Sequence, residues 1–207
     1  MSVITKLQRI LDSHYEHPKG FIGWWIGEKM IRQHKPETRW TIQNLHLEKN
    51  EEILEIGCGA GFAIQQILTM HSSLTVTGLD LSKTLLHSAS IRNKRAERER
   101  RLSLVHGTVE ELPFHDGQFS TVFSIHSVYF WKNRRKALEE IHRVLAPGGQ
   151  VTITLCDGKD GQSWGTIEQM IETELLPLME DLTFTQMDLL RGPVSRGYHT
   201  VAVTGKK

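Results

Sequence analysis

From residue 51 onward the chain alternates short apolar runs with amphipathic stretches, and this alternation restricts the architecture more than any other feature. Ile53-Leu54-Glu55-Ile56 reads as a strand that stops at glycines, and Phe62–Met70 reads as a helix. A second strand runs through Leu74–Leu79 to Asp80, and Ser82 is placed to N-cap a helix reaching Arg98. Leu102–Val105 and Ser120–Ile125 read as further strands. Asn133 begins a helix whose Ala137, Leu138, Ile141, Val144 and Leu145 share one apolar face. Ala146-Pro147-Gly148-Gly149 is expected to stop that helix, and Gln150–Leu155 to form a fifth strand. A helix near Trp164–Leu176 and two β-rich segments, Leu182–Leu190 and Tyr198–Thr204, complete the pattern. Such alternation implies an α/β, Rossmann-like fold, because parallel strands need helical crossovers that cover both faces of the sheet. Ligands of such sheets bind beyond the C-terminal strand ends, at the switch point.

Residues 1–50 read as a helical N-terminal extension ahead of a single domain, 51–207. Val3, Ile4, Leu7, Ile10 and Leu11 recur at helical spacing, and a short helix is expected over Glu37–Leu45. Between them lies Phe21-Ile22-Gly23-Trp24-Trp25, read as a lid over the site in preference to helix packing at the sheet edge. An interfacial membrane anchor is the reading least favoured. A length of 207 residues suits one well-cored unit, and two cysteines, Cys58 and Cys156, make no disulfide framework. With no apolar run of signal-peptide or membrane-span length, a cytoplasmic protein is expected. A formal charge of +1 offers no electrostatic case for nucleic acid. The run Arg92–Arg101 mixes acids with bases and lacks a stacking platform. The eleven histidines do not cluster at metal-ligand spacing, so no metal is expected.

The strongest chemical signal is Glu55-Ile56-Gly57-Cys58-Gly59-Ala60-Gly61, at a strand-to-helix turn. Glycines there let a backbone approach a ligand and point amides at it. A dinucleotide pyrophosphate would be repelled by an acid such as Glu55, whereas an ammonium or sulfonium would be attracted. The plainer alternative is a tight turn with no ligand. Asp80 ends the next strand, where a carboxylate can accept from both ribose hydroxyls; by itself it could equally be a helix-capping acid.

These two elements, followed by Glu111-Leu112-Pro113-Phe114 and Leu145-Ala146-Pro147-Gly148-Gly149, resemble the ordered motifs of class I S-adenosylmethionine-dependent methyltransferases. The branch most resembled includes the ubiquinone and menaquinone biosynthesis enzymes. The resemblance covers residues 50–156 well and the C-terminal strands loosely. It implies a seven-stranded, mostly parallel sheet whose last strand is antiparallel, and S-adenosylmethionine as cofactor. Gly57, Gly59 and Gly61, with Cys58 in the same turn, would cradle the methionine part, and Glu55 would face its ammonium. Asp80 would hold the ribose, Leu81 would pack on the adenine, and Thr108 and Val109 would edge it. Ser124 and Ile125 would line the methionine end. Two positions depart from the pattern: Thr108 stands where many relatives carry an acid, and Phe119-Ser120 where Phe-Asp is frequent.

The acceptor, expected to be a small organic molecule, is less legible. His126 could take a proton and Tyr129 could donate to the acceptor, and with Trp131 they follow the fourth strand. The plain alternative is that Tyr129, Phe130 and Trp131 anchor the loop in the core. Three other functions share parts of this pattern: a nucleic-acid methyltransferase, a non-catalytic cofactor-binding module and a nicotinamide-dependent oxidoreductase. Oligomeric state is not encoded in any motif.

Overall fold

The computed structural model describes residues 34–207, so the Phe21–Trp25 segment and the helix expected near residues 3–11 lie outside the described residues. The described chain opens with α1 (Lys35–Asn44), then β1 (Glu52–Ile56), α2 (Phe62–Met70), β2 (Thr75–Asp80), α3 (Lys83–Arg92), α4 (Lys94–Arg98), β3 (Leu102–His106) and β4 (Phe119–Ile125). After a 3₁₀ turn at Val128–Phe130 come α5 (Arg134–Val144), β5 (Leu145–Lys159) and the two-residue β6 (Gln162–Ser163). Then follow α6 (Gly165–Met170), a π turn (Ile171–Leu175), α7 (Leu176–Asp181), β7 (Thr185–Ser195) and β8 (Tyr198–Lys206). The sheet runs β3-β2-β1-β4-β5-β8-β7, with β6 paired to β5. Its first five strands are parallel; β8 is antiparallel to both β5 and β7. The Rossmann-like, mostly parallel sheet with an antiparallel last strand is therefore present.

Successive residues of a strand face opposite sides of a sheet, and the central strands divide accordingly between two cores. Leu54 and Val122 join the face covered by Ala137, Leu138, Ile141 and Val144 of α5. Ile53 and Phe123 join the face covered by Ile64, Ile67 and Leu68 of α2 and by Ile42 of α1. The predicted caps form: Ser82 Oγ accepts from the Leu85 amide at 3.3 Å, and Asn133 Oδ1 from the Lys136 amide at 3.0 Å. Among the described residues no helix is long and apolar enough to cross a membrane.

Four boundaries differ from expectation. The helix after Ser82 breaks at Asn93, whose side-chain amide donates to the Gly61 and Ala89 carbonyls, each at 3.0 Å. The fifth strand extends from Leu145 to Lys159, crossing Ala146–Gly149 with a register shift against β4. The helix expected at Trp164–Leu176 continues to Asp181 through a π turn; the ring of Pro177 crowds the preceding turn and removes one amide donor. The first C-terminal strand begins at Thr185 rather than Leu182, because Leu182 closes α7, its amide bonding to the Leu178 carbonyl. Arg196 and Gly197, both at positive φ (53° and 82°), form the two-residue turn between β7 and β8.

Candidate active site

Beyond the C-terminal ends of β1, β2 and β4 lies a cavity of about 200 Å³, several times the space one water needs and therefore suited to an organic ligand. Of the residues the sequence singled out, Glu55, Gly57, Cys58, Gly59, Asp80, Leu81, Thr108, Val109, Ile125 and His126 line it. Gly61, Ser124 and Tyr129 do not. Gly61 is the N-cap of α2, packed so closely on α3 that an added Cβ would lie 2.8 Å from the Ala89 Cβ. Ser124 is buried behind the wall, its hydroxyl 2.5 Å from that of Ser127. Tyr129 is engaged with β5: its hydroxyl accepts from the Cys156 amide at 2.6 Å and lies 3.2 Å from the Cys156 carbonyl, and burial pushes the phenol's pKa up.

The glycine turn offers close approach rather than free amides, which changes how it can act. The Gly57 and Cys58 amides both donate to the Leu79 carbonyl, at 2.8 and 3.0 Å. The Gly59 amide donates to Asp80 Oδ2 at 2.8 Å, and the Gly61 amide to the Cys58 carbonyl at 3.0 Å. Within the turn, only Gly59 combines a left-handed backbone (φ 53°) with open space where a side chain would be. Anion sites in such turns depend on amides aimed at the ligand, and here four are spent internally. The turn is braced from α3 by Asn93 and by Arg92 Nε, which donates to the Ala60 carbonyl at 2.8 Å.

The cavity is also acidic. Glu55 is 4% exposed, and its Oε2 is buried without a partner. Its carboxyl is held well above the usual carboxylate range, first by burial and then by the neighbouring charge of Asp80, against a hydrogen bond from the Ile64 amide. Asp80 spends one lone pair of each oxygen, on the Gly59 and Ser82 amides (2.8 Å each), so each oxygen retains capacity for another donor. Burial pushes its pKa upward as well. An orphaned carboxylate oxygen beside a second acid fits an ammonium and a pair of ribose hydroxyls; it does not fit a pyrophosphate. At the rim, Leu81 and Phe130 are 45% and 44% exposed, apolar surfaces that a bound ring could cover. Thr108 donates its hydroxyl to Glu110 Oε2, while Glu110 Oε1 accepts from the Lys132 amide at 2.8 Å.

The wall also includes residues that sequence reasoning missed. Ser127 joins the ends of β1 and β4: its hydroxyl donates to the Ile56 carbonyl and accepts from Trp131 Nε1, both at 3.2 Å. Its Cβ would lie 2.5 Å from one placed on Gly57, so these two positions fit only with glycine at 57. His34 and Thr38 of the α1 entry reach the cavity from the far end of the sequence. The Ser-rich, aromatic character of Ser124–Trp131 pointed to the first; nothing local pointed to the second. His126 takes a left-handed backbone (φ 57°), its amide donating to the Thr154 carbonyl at 2.8 Å.

A methyltransferase domain family matches residues 54–153. The methyltransferase YdaC of Bacillus subtilis (strain 168) is 30% identical over 129 residues, 62% of this chain and 69% of its own length. A demethylmenaquinone methyltransferase of Staphylococcus epidermidis is 35% identical over 125 residues, covering 58% of this chain and 49% of its own. Among solved structures, a SAM dependent methyltransferase from Aquifex aeolicus has the same fold, with a TM-score of 0.68 at 17% identity over 85% of this chain and 91% of that one. Geranyl diphosphate C-methyltransferase from Streptomyces coelicolor A3(2) reaches a TM-score of 0.70 at 14% identity, covering 84% and 79%. Ordered motifs, sheet order and relatives agree, and the chain belongs to the class I S-adenosylmethionine-dependent methyltransferases.

Proposed function

We propose that this enzyme binds S-adenosylmethionine through Glu55, Asp80, Leu81, Val109 and the Gly57–Gly59 turn, and methylates a small organic acceptor at the His34, His126 and Phe130 end of the cavity. The carrying observation is the buried, unpartnered Glu55 Oε2 beside Asp80 in one cavity. When bound, the cofactor supplies an electrophilic methyl on a sulfonium; the protein's part is to hold it in line and exclude water. Glu55 would receive the ammonium, Asp80 the ribose hydroxyls, and Leu81 would pack against the base. Tyr129 serves by fixing the loop after β4 to β5, leaving His126 as the polar group of that loop at the acceptor end. The α1 segment serves the acceptor half, since His34 and Thr38 reach the cavity. A nicotinamide dinucleotide is disfavoured by the spent amides of the glycine turn, and nucleic acid by the near-neutral charge.

Calorimetry with S-adenosylhomocysteine and with NAD tests this reading. S-adenosylhomocysteine at a hundredfold excess over its Kd is expected to add about 2.7 kcal/mol of stability, and NAD none. Well-folded protein that gives no heat with S-adenosylhomocysteine would sink the proposal.

A further inference from the structure

Two imidazoles face each other where the cofactor half of the cavity ends. His34 precedes α1, its carbonyl held by the Thr38 amide (2.9 Å) and hydroxyl (2.8 Å), while His126 follows β4. Their ring centroids are 4.4 Å apart at an interplanar angle of 49°. His34 Nδ1 and His126 Nε2 are both buried and both lack a hydrogen-bond partner. A buried, unpartnered polar atom needs an explanation in a native structure, and two on facing rings in one ligand cavity share one. Among the described residues no group of three His, Cys, Asp or Glu comes together at metal-holding geometry.

The missing partner can be specified by chemistry. An anion is unsuited, because the cavity already holds Glu55 and Asp80, burial lowers the proton affinity of both rings, and the Arg196 beside them is paired with buried Glu37. An amine among those acids would be held protonated and lose the lone pair that attacks a methyl group. A hydroxyl stays neutral, and it can accept from one ring N–H while donating to the other ring's lone pair. The apolar rim at Ile125 and Phe130 suits a hydroxyl carried on an apolar body. Building on the cofactor reading above, we propose that the acceptor presents a hydroxyl held between His34 Nδ1 and His126 Nε2, and that His34 receives its proton.

The proton goes to His34 because the charges around the two rings differ. His34 is faced by Glu37 of its own helix, which favours protonation, and by Arg196 of the β7–β8 turn, which opposes it. Glu37 is fully buried, with Arg196 Nη2 3.6 Å from its carboxylate. His126 is opposed by both His34 and Arg196; its pKa is pushed down to about 3, chiefly by burial. In the step, the acceptor oxygen forms its bond to the methyl carbon as the carbon–sulfur bond breaks, and that bond's electron pair stays on sulfur. The O–H proton passes to the His34 nitrogen. The site holds one positive charge before, on sulfonium, and one after, on imidazolium, which then releases its proton to solvent.

Histidine side-chain ¹⁵N resonances report this directly, with 1-naphthol as hydroxyl probe and 1-methoxynaphthalene as its donorless twin, both added to the S-adenosylhomocysteine complex. Naphthol is expected to shift the His34 and His126 nitrogens and the methyl ether to leave them; on acidification His34 should titrate before His126. H34Q should weaken naphthol binding about tenfold, and Glu37→Gln should lower the pH at which His34 titrates. H126N, which suits a left-handed backbone, serves if the first variant does not fold. Equal shifts with both probes, no shift with either, or His126 titrating first overturns this inference while the cofactor reading stands. Absence of S-adenosylhomocysteine binding overturns both.

Discussion

Glu55 joins the chemistry of the site to the stability of the fold. Because its folded pKa is raised, the folded state prefers the protonated carboxyl. The stability this gives is complete below the unfolded value and is lost as pH rises through the folded one. A bound ammonium reverses the preference, so cofactor binding should expel a proton from Glu55. S-adenosylhomocysteine affinity should then rise with pH up to the folded pKa and level off above it, and calorimetry in buffers of different ionisation enthalpy should record the released proton. E55Q removes the charge but keeps the shape: at pH 7 the free protein should be no less stable, while affinity falls by about 1.5–3 kcal/mol, as expected for a charge-assisted bond. A variant that melts earlier in the free state yet binds as tightly would show Glu55 to be structural. Thr108 is the counter-case. Its hydroxyl is given to Glu110, so T108A should cost less than about 1 kcal/mol of cofactor affinity, and a hundredfold loss would make that hydroxyl a principal contact.

Elements were legible wherever one local pattern decides the outcome. The α5 stripe, the Ser82 and Asn133 caps and the strand ends at Glu55 and Asp80 follow from spacing alone, and with them much of the cavity wall. Boundaries failed where a distant partner decides. Asn93 reads as mid-helix until its amide is seen spanning to Gly61, and the glycine turn reads as amides aimed at a ligand until they are traced to Leu79 and Asp80. The break at Asn93 is therefore expected to matter twice. N93A leaves the Gly61 and Ala89 carbonyls short of one donor each, in a side chain only 6% exposed, and should cost about 1–3 kcal/mol in urea unfolding. It should also weaken S-adenosylhomocysteine, because the turn it braces forms the cavity wall. Lost stability with unchanged affinity would mean that α3, and not Asn93, fixes the turn.

At the scale of the molecule the site is assembled in two ways. The half proposed for the cofactor comes from strand ends between residues 55 and 131, positions that the sequence motifs already single out. The half proposed for the acceptor gathers His34, Glu37, His126 and Arg196 from distant parts of the chain, and no local pattern marks such a group. What brings it together is the docking of α1 on the antiparallel side of the sheet, where Thr41 Oγ1 lies 2.8 Å from Thr154 Oγ1 and both residues are fully buried. Neither threonine lines the cavity, so this contact can be altered without touching a ligand. Thr41→Val leaves Thr154 short of its partner and should cost about 1–3 kcal/mol, whereas the double variant with Thr154→Val, apolar on both sides, should recover part of that loss. Amide exchange in α1 should quicken in the single variant, and S-adenosylhomocysteine affinity should stay within a few-fold, because the cofactor wall does not depend on how firmly α1 is seated. If cofactor affinity instead falls in step with α1 protection, the two halves form one cooperative unit, and α1 belongs to the cofactor site as much as to the acceptor.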